Sequence, residues 1–412
     1  MKKNSPTIFL VLAGLASFLT AYSGVGAPTS DLPHTVAQID RGRILKLAGE
    51  AMKLKPPAIT DYIATNSAGG PHDFFSQADY FWPDPTNKNG AYVGRDGQTN
   101  PDNFEHHRMA MRHMKDAVAA LSAAYALTGD DKYVPKAAEL LRVFFLDERT
   151  RMNPSLNYAQ AELGRSTGNA IGIIDTLHLA ELPLAICFLE KSPKFDPAVD
   201  AGVKKWFADY IDWMTTSTNG VQEMNAKNNH SIAYFVQLAS FARFVGDEKN
   251  LELCRQRFKE VLLPRQMTND GSFPLELKRT KPYGYSIFQA DNVAILCVLL
   301  STPDDDLWKF RLPDGNTPLK STEFIYPYLG DKNKWLADGR GKDILHWDNW
   351  PAREACLLFA YAETGDAQYF DLWKRLNADP SDLEVRRNIA VTQPILWIAN
   401  PADVPLLKRA SK

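Results

Sequence analysis

The chain has 412 residues, of which 45% are hydrophobic and 23% are charged, and its formal net charge at pH 7 is −2. This composition is typical of a globular protein with a large core. The small net charge excludes a whole-molecule attraction to nucleic acid or to an anionic membrane, so any affinity for a polyanion has to be local.

The N-terminus is typical of a secretory signal peptide. Lys2 and Lys3 precede an apolar run over residues 8–22, and small residues follow up to Ala27. The run is shorter than the roughly 18 apolar residues that indicate a membrane span, although a membrane anchor is the alternative. We therefore predict a signal peptide over residues 1–27 and export to the periplasm or beyond. We predict no other segment that crosses a bilayer.

The cysteines give no sign of a metal or redox motif. Each of the four lies in an apolar helical pattern, far from the others: Cys187, Cys254, Cys297 and Cys356. No C-x-x-C pair is present, and we predict buried free thiols. The sequence predicts no cofactor and no metal.

One helical pattern recurs along the chain. An apolar helix ends in an aromatic-rich turn, Gly-Asp follows, and an amphipathic helix begins. The pattern occupies residues 125–141, 241–258 and 361–376. Gly129, Gly246 and Gly365 suit the left-handed position that ends a helix. The Asp after each glycine can cap the next helix. The pattern therefore predicts helical hairpins.

Most of the remaining chain is also predicted to be helical, because apolar residues recur at steps of three and four. The exceptions are "SFPLEL" at 272–277 and "AVTQPILWI" at 390–398, which we predict to be short strands. Paired helices cannot bury their apolar faces alone and must stack. We therefore predict an all-α fold, a closed (α/α) toroid of helical hairpins that forms one domain over residues 28–412.

A long loop over residues 71–104 interrupts this pattern. It is rich in Pro, Gly, Asn and Asp, and loops of this length in compact domains are usually functional. Its aromatic residues are Phe74, Phe75, Tyr80, Phe81, Trp82 and Tyr92. Such rings can stack on sugars, but we expect most of the six to cover the core.

Two polar stretches lie directly before apolar helices. The first, "NNHS", contains Asn228, Asn229 and His230, and the second, "KRTKPYGYSIF", contains Arg279 and Tyr285. Taken alone, either asparagine could simply cap a helix. Facing one cleft, the two stretches would combine an amide, an imidazole, a guanidinium and a phenol.

This set of groups is sufficient to cleave a uronate polymer by β-elimination. A base removes the C5 proton next to the carboxylate, and the C4 oxygen leaves. Asn229 and Arg279 can neutralise the carboxylate, so that negative charge spreads onto it in the transition state. A phenol has a pKa of about 10, and we expect the guanidinium to favour the ionised form of Tyr285. Tyr285 and His230 would then handle the proton.

In their order along the chain, these motifs resemble the catalytic signature of the helical-toroid alginate lyases. The resemblance is to polysaccharide lyase family 38 and more distantly to family 5, and it extends to "YFWPDPTNKNGAYVGRDGQTNP" and to residues 152–179. It implies an (α/α) barrel with a substrate cleft or tunnel formed by long loops. It also implies that Asn229 and Arg279 neutralise the carboxylate, and that His230 and Tyr285 form the acid/base pair.

Six further residues are candidates for substrate binding: Glu223, His178, Arg165, Tyr283, Trp347 and Arg353. Tyr283 is also the alternative to Tyr285 as the catalytic phenol. Trp347 and Arg353 could line the cleft or seal the ring of helices. The stretch "AELGRSTGN" departs from the expected family pattern around Arg165.

The predicted partner is an acidic polysaccharide, a β-1,4-linked polyuronate. In mannuronate and glucuronate the C5 proton and the C4 oxygen lie on one face, so one phenol can serve both steps. We therefore predict polymannuronate-type alginate as the substrate, with glucuronan as the alternative. A toroid glycosidase, which needs two carboxylates, and a non-catalytic glycan-binding protein are the rival functions. The sequence predicts no nucleic-acid partner and no membrane partner after signal cleavage, and it leaves the oligomeric state open.

Overall fold

Helices dominate the protein, which a computed structural model describes over residues 31–87 and 90–407. The predicted signal peptide lies outside these residues. The α-helices are α1 (Leu32–Ala51), α2 (His106–Thr128), α3 (Val134–Phe145), α4 (Leu182–Leu189), α5 (Pro197–Thr216), α6 (Thr218–Met224), α7 (Asn229–Val245), α8 (Glu248–Arg257), α9 (Leu263–Gln266), α10 (Pro274–Leu277), α11 (Pro282–Leu300), α12 (Leu319–Gly330), α13 (Lys332–Ala337), α14 (Ala355–Thr364), α15 (Ala367–Arg375), α16 (Leu383–Arg387) and α17 (Ile395–Ile398).

Short elements of other types connect these helices. A long 3₁₀-helix over Ala170–Glu181 runs directly into α4, and a π-helical turn over Phe258–Leu262 joins α8 to α9. The strands are β1 (Phe75–Gln77), β2 (Phe81–Trp82), β3 (Val93–Gly94) and β4 (Tyr158–Ala161). β1 pairs with β4 in parallel, and β2 pairs with β3 in antiparallel. Three of the four strands lie in the long loop, which is therefore partly ordered by pairing.

The helices form a ring, as the sequence predicts. An inner row runs from α2 through the 3₁₀-helix, α7 and α11 to α14, each element packing on the next, and α3, α5, α8, α12 and α15 pack outside. The short α17 closes the ring, because it packs on α1 and α2 while its Trp397 lies 6.0 Å from the Phe359 ring of α14. The inner helices are apolar on nearly all sides because they are covered on both faces.

The predicted hairpin turns are confirmed. The glycines at positions 129, 246 and 365 have φ angles of 62°, 73° and 71°, in the left-handed region. The side chains of Asp130, Asp247 and Asp366 accept hydrogen bonds from backbone N–H groups two or three residues ahead. These signals are local, and for that reason the sequence alone reveals them.

The two predicted strands are wrong. "SFPLEL" contains α10, and "AVTQPILWI" contains α17. In each, a proline lies at the start of the helix, Pro274 at its first position and Pro394 at its N-cap. Proline provides no N–H to a sheet and suits the start of a helix.

Within the described residues, two helical stretches are long and apolar enough to cross a bilayer, contrary to the sequence prediction. They are Ala170–Leu189 and Pro282–Leu300, whose apolar windows are 83% and 89% buried inside the protein. Both belong to the inner row of the ring. Burial against neighbouring helices accounts for their composition.

The four cysteines are buried and free, as predicted. They lie on four different helices, α4, α8, α11 and α14. Burial raises the pKa of all four thiols.

Gly246→Ala and Gly49→Ala should shift the free energy of unfolding in opposite directions. A Cβ atom at either position meets no atom within 4 Å, so backbone conformation alone decides the result. Gly246 has a φ of 73°, where alanine costs about 1 kcal/mol. Gly49 lies inside α1, where alanine stabilises by about 0.5–1 kcal/mol. Urea unfolding measures both, and equal shifts would contradict the assignment of the left-handed turn.

Candidate active site

One cavity of about 160 Å³ brings the four predicted catalytic residues together. Asn229 and His230 reach it from the first turn of α7, and Tyr285 from the first turn of α11. Arg279 comes from the turn between α10 and α11. The two polar stretches meet because α7 and α11 are neighbours in the inner row.

Buried carboxylates fix the amide and the imidazole. Glu276 accepts hydrogen bonds from the backbone N–H of Asn229 at 2.9 Å and from its side-chain Nδ2 at 2.5 Å. Glu223 accepts from His230 Nδ1 at 2.6 Å. Asn228 occupies the N-cap position of α7, but its side chain makes no capping bond. The asparagine pair therefore does more than end a helix, since Asn229 is held at the cavity by Glu276.

Glu223 also sets the charge of His230. Burial by itself lowers the pKa of the imidazole, but the Glu223 carboxylate outweighs burial, so the pKa of His230 is raised above its ordinary value. The bond to Glu223 occupies Nδ1. Among the described residues, Nε2 has no hydrogen-bond partner, which leaves it available at the cavity.

Tyr285 lies in a cluster of hydrogen bonds. Arg279 Nη2 donates to its hydroxyl at 2.9 Å, and the guanidinium lies over the ring at 4.1 Å from the centroid. The hydroxyl of Tyr80 is 2.8 Å from that of Tyr285. Tyr80 in turn accepts from Arg387 at 2.7 Å and from Lys281 at 3.2 Å. Because Tyr80 already accepts two bonds, its own hydrogen is best directed to Tyr285.

The free enzyme holds Tyr285 as a neutral phenol. Burial raises its pKa well above 10, Tyr80 raises it further, and the opposing effect of Arg279 is smaller. Arg279 does lower the pKa of Tyr285, as the sequence analysis expects. Burial exceeds this effect, because the phenolate loses its hydration.

Carboxylates also hold the long loop over the cavity. Asp96 binds Arg279, with the shortest N–O distance at 2.6 Å. Asp79 binds Arg108 at 2.6 Å and also Arg387. Burial alone would raise the pKa of Asp79, but the two guanidiniums hold it well below its usual range. The loop therefore reaches both sides of the cavity through charged contacts.

The structure distributes the predicted substrate-binding residues among several places. Glu223 is buried behind His230. His178 and Arg353 line a second, larger cavity. Arg165 is exposed and donates to a backbone carbonyl of the long loop. Tyr283 and Trp347 are buried against each other, with ring centroids 5.1 Å apart, and neither lines the active-site cavity.

Other cavity residues escaped the sequence analysis. The sequence presents Tyr80 only as one of six loop aromatics, most of which we expect to cover the core. That expectation holds for Phe74 and Phe75, which are fully buried, and is wrong for the other four, which are only partly buried. Arg112 and Arg387 also line the cavity. A tyrosine in an unusually long polar loop was a usable signal. The two arginines had none, because they lie on helices whose cavity-facing side depends on the closed ring.

The alginate lyase sequence profile matches residues 59–335. An alginate lyase from Bacteroides ovatus, known from its crystal structure, is 31% identical, with a TM-score of 0.77 over 92% of this chain and 99% of that one. The chain belongs to the alginate lyase family. It is therefore a polysaccharide lyase, and the glycosidase and binding-protein alternatives fall away.

More distant alginate lyase structures share the fold. A tyrosine-to-phenylalanine variant of alginate lyase A1-III, complexed with tetrasaccharide, is 16% identical with a TM-score of 0.51, covering 85% of this chain and 92% of that one. The wild-type enzyme comes from Sphingomonas species A1. No match was found among proteins with curated functions.

Glu223→Gln should lower the pKa of His230 from above its ordinary value of about 6.5 to below it. The neutral amide removes the largest charge that favours the imidazolium, and burial together with Arg279 then outweighs the smaller opposing effect of Glu276. NMR titration of the imidazole measures both values. Glu248→Gln, which removes an exposed carboxylate on α8, serves as the control and should leave the titration of His230 unchanged. A His230 pKa that does not fall in Glu223→Gln would contradict this account of the pair.

Proposed function

We propose that the protein is an exported lyase that cleaves β-1,4-linked polyuronate by β-elimination, with polymannuronate-type alginate as the preferred substrate. The observation that carries this proposal is the single cavity shared by Asn229, His230, Arg279 and Tyr285. The 31% identical Bacteroides ovatus structure, described as an alginate lyase, supports the same substrate class.

In the proposed reaction Asn229 and Arg279 bind the substrate carboxylate. Glu276 fixes the orientation of the Asn229 amide by accepting a hydrogen bond from one of its two N–H groups. The other N–H group remains available for the substrate. Arg279 is paired with Asp96 in the free protein, so the substrate carboxylate replaces or shares that partner. Fixed donors stabilise the charge that moves onto the carboxylate as the C5 proton leaves.

Tyr285 is proposed to carry the proton between C5 and the C4 oxygen. Its raised pKa keeps the phenol protonated, so that it holds a proton to donate to the leaving oxygen. As a base it must first ionise, and Arg279, which donates to its hydroxyl, is in place to stabilise the phenolate. His230, whose Nε2 is available, is proposed to share the base role or to orient the sugar.

The preference for mannuronate follows from placing both proton transfers on one phenol. The C5 proton and the C4 oxygen of mannuronate lie on the same face of the ring, within reach of one group. Guluronate is inverted at C5 and requires a base on the opposite face. Glucuronate differs from mannuronate only at C2, which makes glucuronan the second candidate substrate.

Tyr285→Phe should reduce kcat at least about 100-fold on polymannuronate, because it removes the group that transfers the proton. Tyr283→Phe is the matched control. It removes a hydroxyl two positions away that is bonded to the Tyr328 carbonyl in the core, so activity should persist. The measurement is the ultraviolet absorbance of the new C4–C5 double bond. Equal activities of the two variants would refute the assignment of Tyr285.

Wild-type protein should release unsaturated ends from polymannuronate fastest, from glucuronan more slowly, and from polyguluronate least. The same absorbance assay on a panel of the three polymers measures this order. Assays on periplasmic and culture-medium fractions then locate the activity. Polyguluronate cleaved as fast as polymannuronate would contradict the single-phenol mechanism.

A further inference from the structure

A second cavity, of about 550 Å³, lies beside the active-site cavity. Its walls come from α1, from α2 and from the segment 378–394 that follows the last helical hairpin. The volume falls within the range of small-molecule sites. The proposed reaction does not use this cavity.

The segment that separates the two cavities contributes side chains to both. Arg386 and Ile389 line the larger cavity, whereas Arg387 and Asn388 line the active site. Arg112 of α2 lines both cavities. The larger cavity is therefore adjacent to the active site and shares a guanidinium with it.

The larger cavity has cations without anionic partners. Three arginines in its wall are paired: Arg353 with Asp40 at 2.7 Å, Arg43 with Asp379 at 2.8 Å, and Arg386 with Asp116 at 3.3 Å. Lys46 and Arg112 line the same wall, and neither makes an ion pair with any described residue. Glu50, exposed on α1, is the one lining carboxylate that makes no ion pair within the described part of the chain.

Arg112 is in an unusual environment. Its Nε atom is buried and has no hydrogen-bond partner among the described residues. Burial lowers the pKa of Arg112 to about 10, and the like charges of Arg108 and Arg387 contribute to this. Buried polar groups normally have partners. An anion in the cavity beside the Arg112 guanidinium would offset the repulsion between the guanidiniums.

Between these charges the wall has apolar stretches, although His113, His178, Ser381, Thr392 and Gln393 also line it. Leu47, Met109, Ala117, Leu383 and Val391 line it. A sugar ring presents C–H groups that pack on such a surface, while a carboxylate on the same ring requires a cation. The combination suits a small acidic saccharide better than an inorganic anion, which would leave the apolar surface uncovered.

We propose that the larger cavity is a second binding site for a short uronate saccharide, whose carboxylate is bound by Arg112 and Lys46. This inference rests on the proposed function, because β-elimination releases such saccharides next to the cavity. The proposed site lies between α1, α2 and the 378–394 segment. None of the four residues that carry the proposed reaction lines it.

Calorimetric titration with a β-1,4-linked mannuronate disaccharide tests the site in full-length Tyr285→Phe protein, which turns over slowly. The added change Lys46→Glu reverses a charge that lines the cavity and should weaken one binding event about fivefold. Lys53→Glu makes the same charge change just beyond α1, outside the lining residues, and should have no effect. Leu47→Trp should weaken the same binding event by narrowing the cavity.

A binding event that responds to Lys46→Glu and not to Lys53→Glu supports the site. Equal effects of the two reversals, or binding that neither Lys46→Glu nor Leu47→Trp changes, would overturn it. Circular dichroism checks that each variant is folded. If Leu47→Trp does not fold, the result for Lys46→Glu alone tests the site. Failure of wild-type protein to cleave any polyuronate would instead reject the proposed function, because the titration requires no turnover.

Discussion

The Asp79 carboxylate joins three parts of the chain that are far apart in sequence. It lies on the long loop and binds Arg108 of α2 and Arg387 of α16. This contact holds the next residue, Tyr80, against Tyr285 at the N-terminus of α11. A buried carboxylate without cations would be costly, and the two guanidiniums compensate for its loss of hydration. Without this contact the loop would keep its ion pair between Asp96 and Arg279 but lose the ion pairs next to Tyr80.

Paired charges also explain why Tyr285 is a neutral phenol. Arg279, Arg387 and Lys281 surround the two tyrosine hydroxyls, yet each of these cations is already bound to a carboxylate. Their net effect on Tyr285 is therefore smaller than three positive charges suggest, and burial prevails. A substrate carboxylate that displaces Asp96 from Arg279 would change this balance.

Local signals in the sequence predict the architecture, whereas contacts between distant parts of the chain determine which side chains line the cavity. Gly246 with Asp247 marks a hairpin because cap and turn need only neighbouring residues. Periodicity identified the inner helices but could not separate their cavity-facing side from their core-facing side. Tyr283, two positions from Tyr285, is accordingly buried away from the cavity. Arg387 could not be found, since its role depends on a segment that returns from the far end of the chain.

Dispersed, buried thiols have a consequence for how the ring opens. The thiolate is the reactive form of cysteine, and burial both covers Cys187, Cys254, Cys297 and Cys356 and disfavours that form. The native chain should accordingly be inert to alkylating reagents in either an oxidising or a reducing medium. Each thiol lies on a different helix. The order in which the four are alkylated would therefore report which part of the ring unfolds locally first.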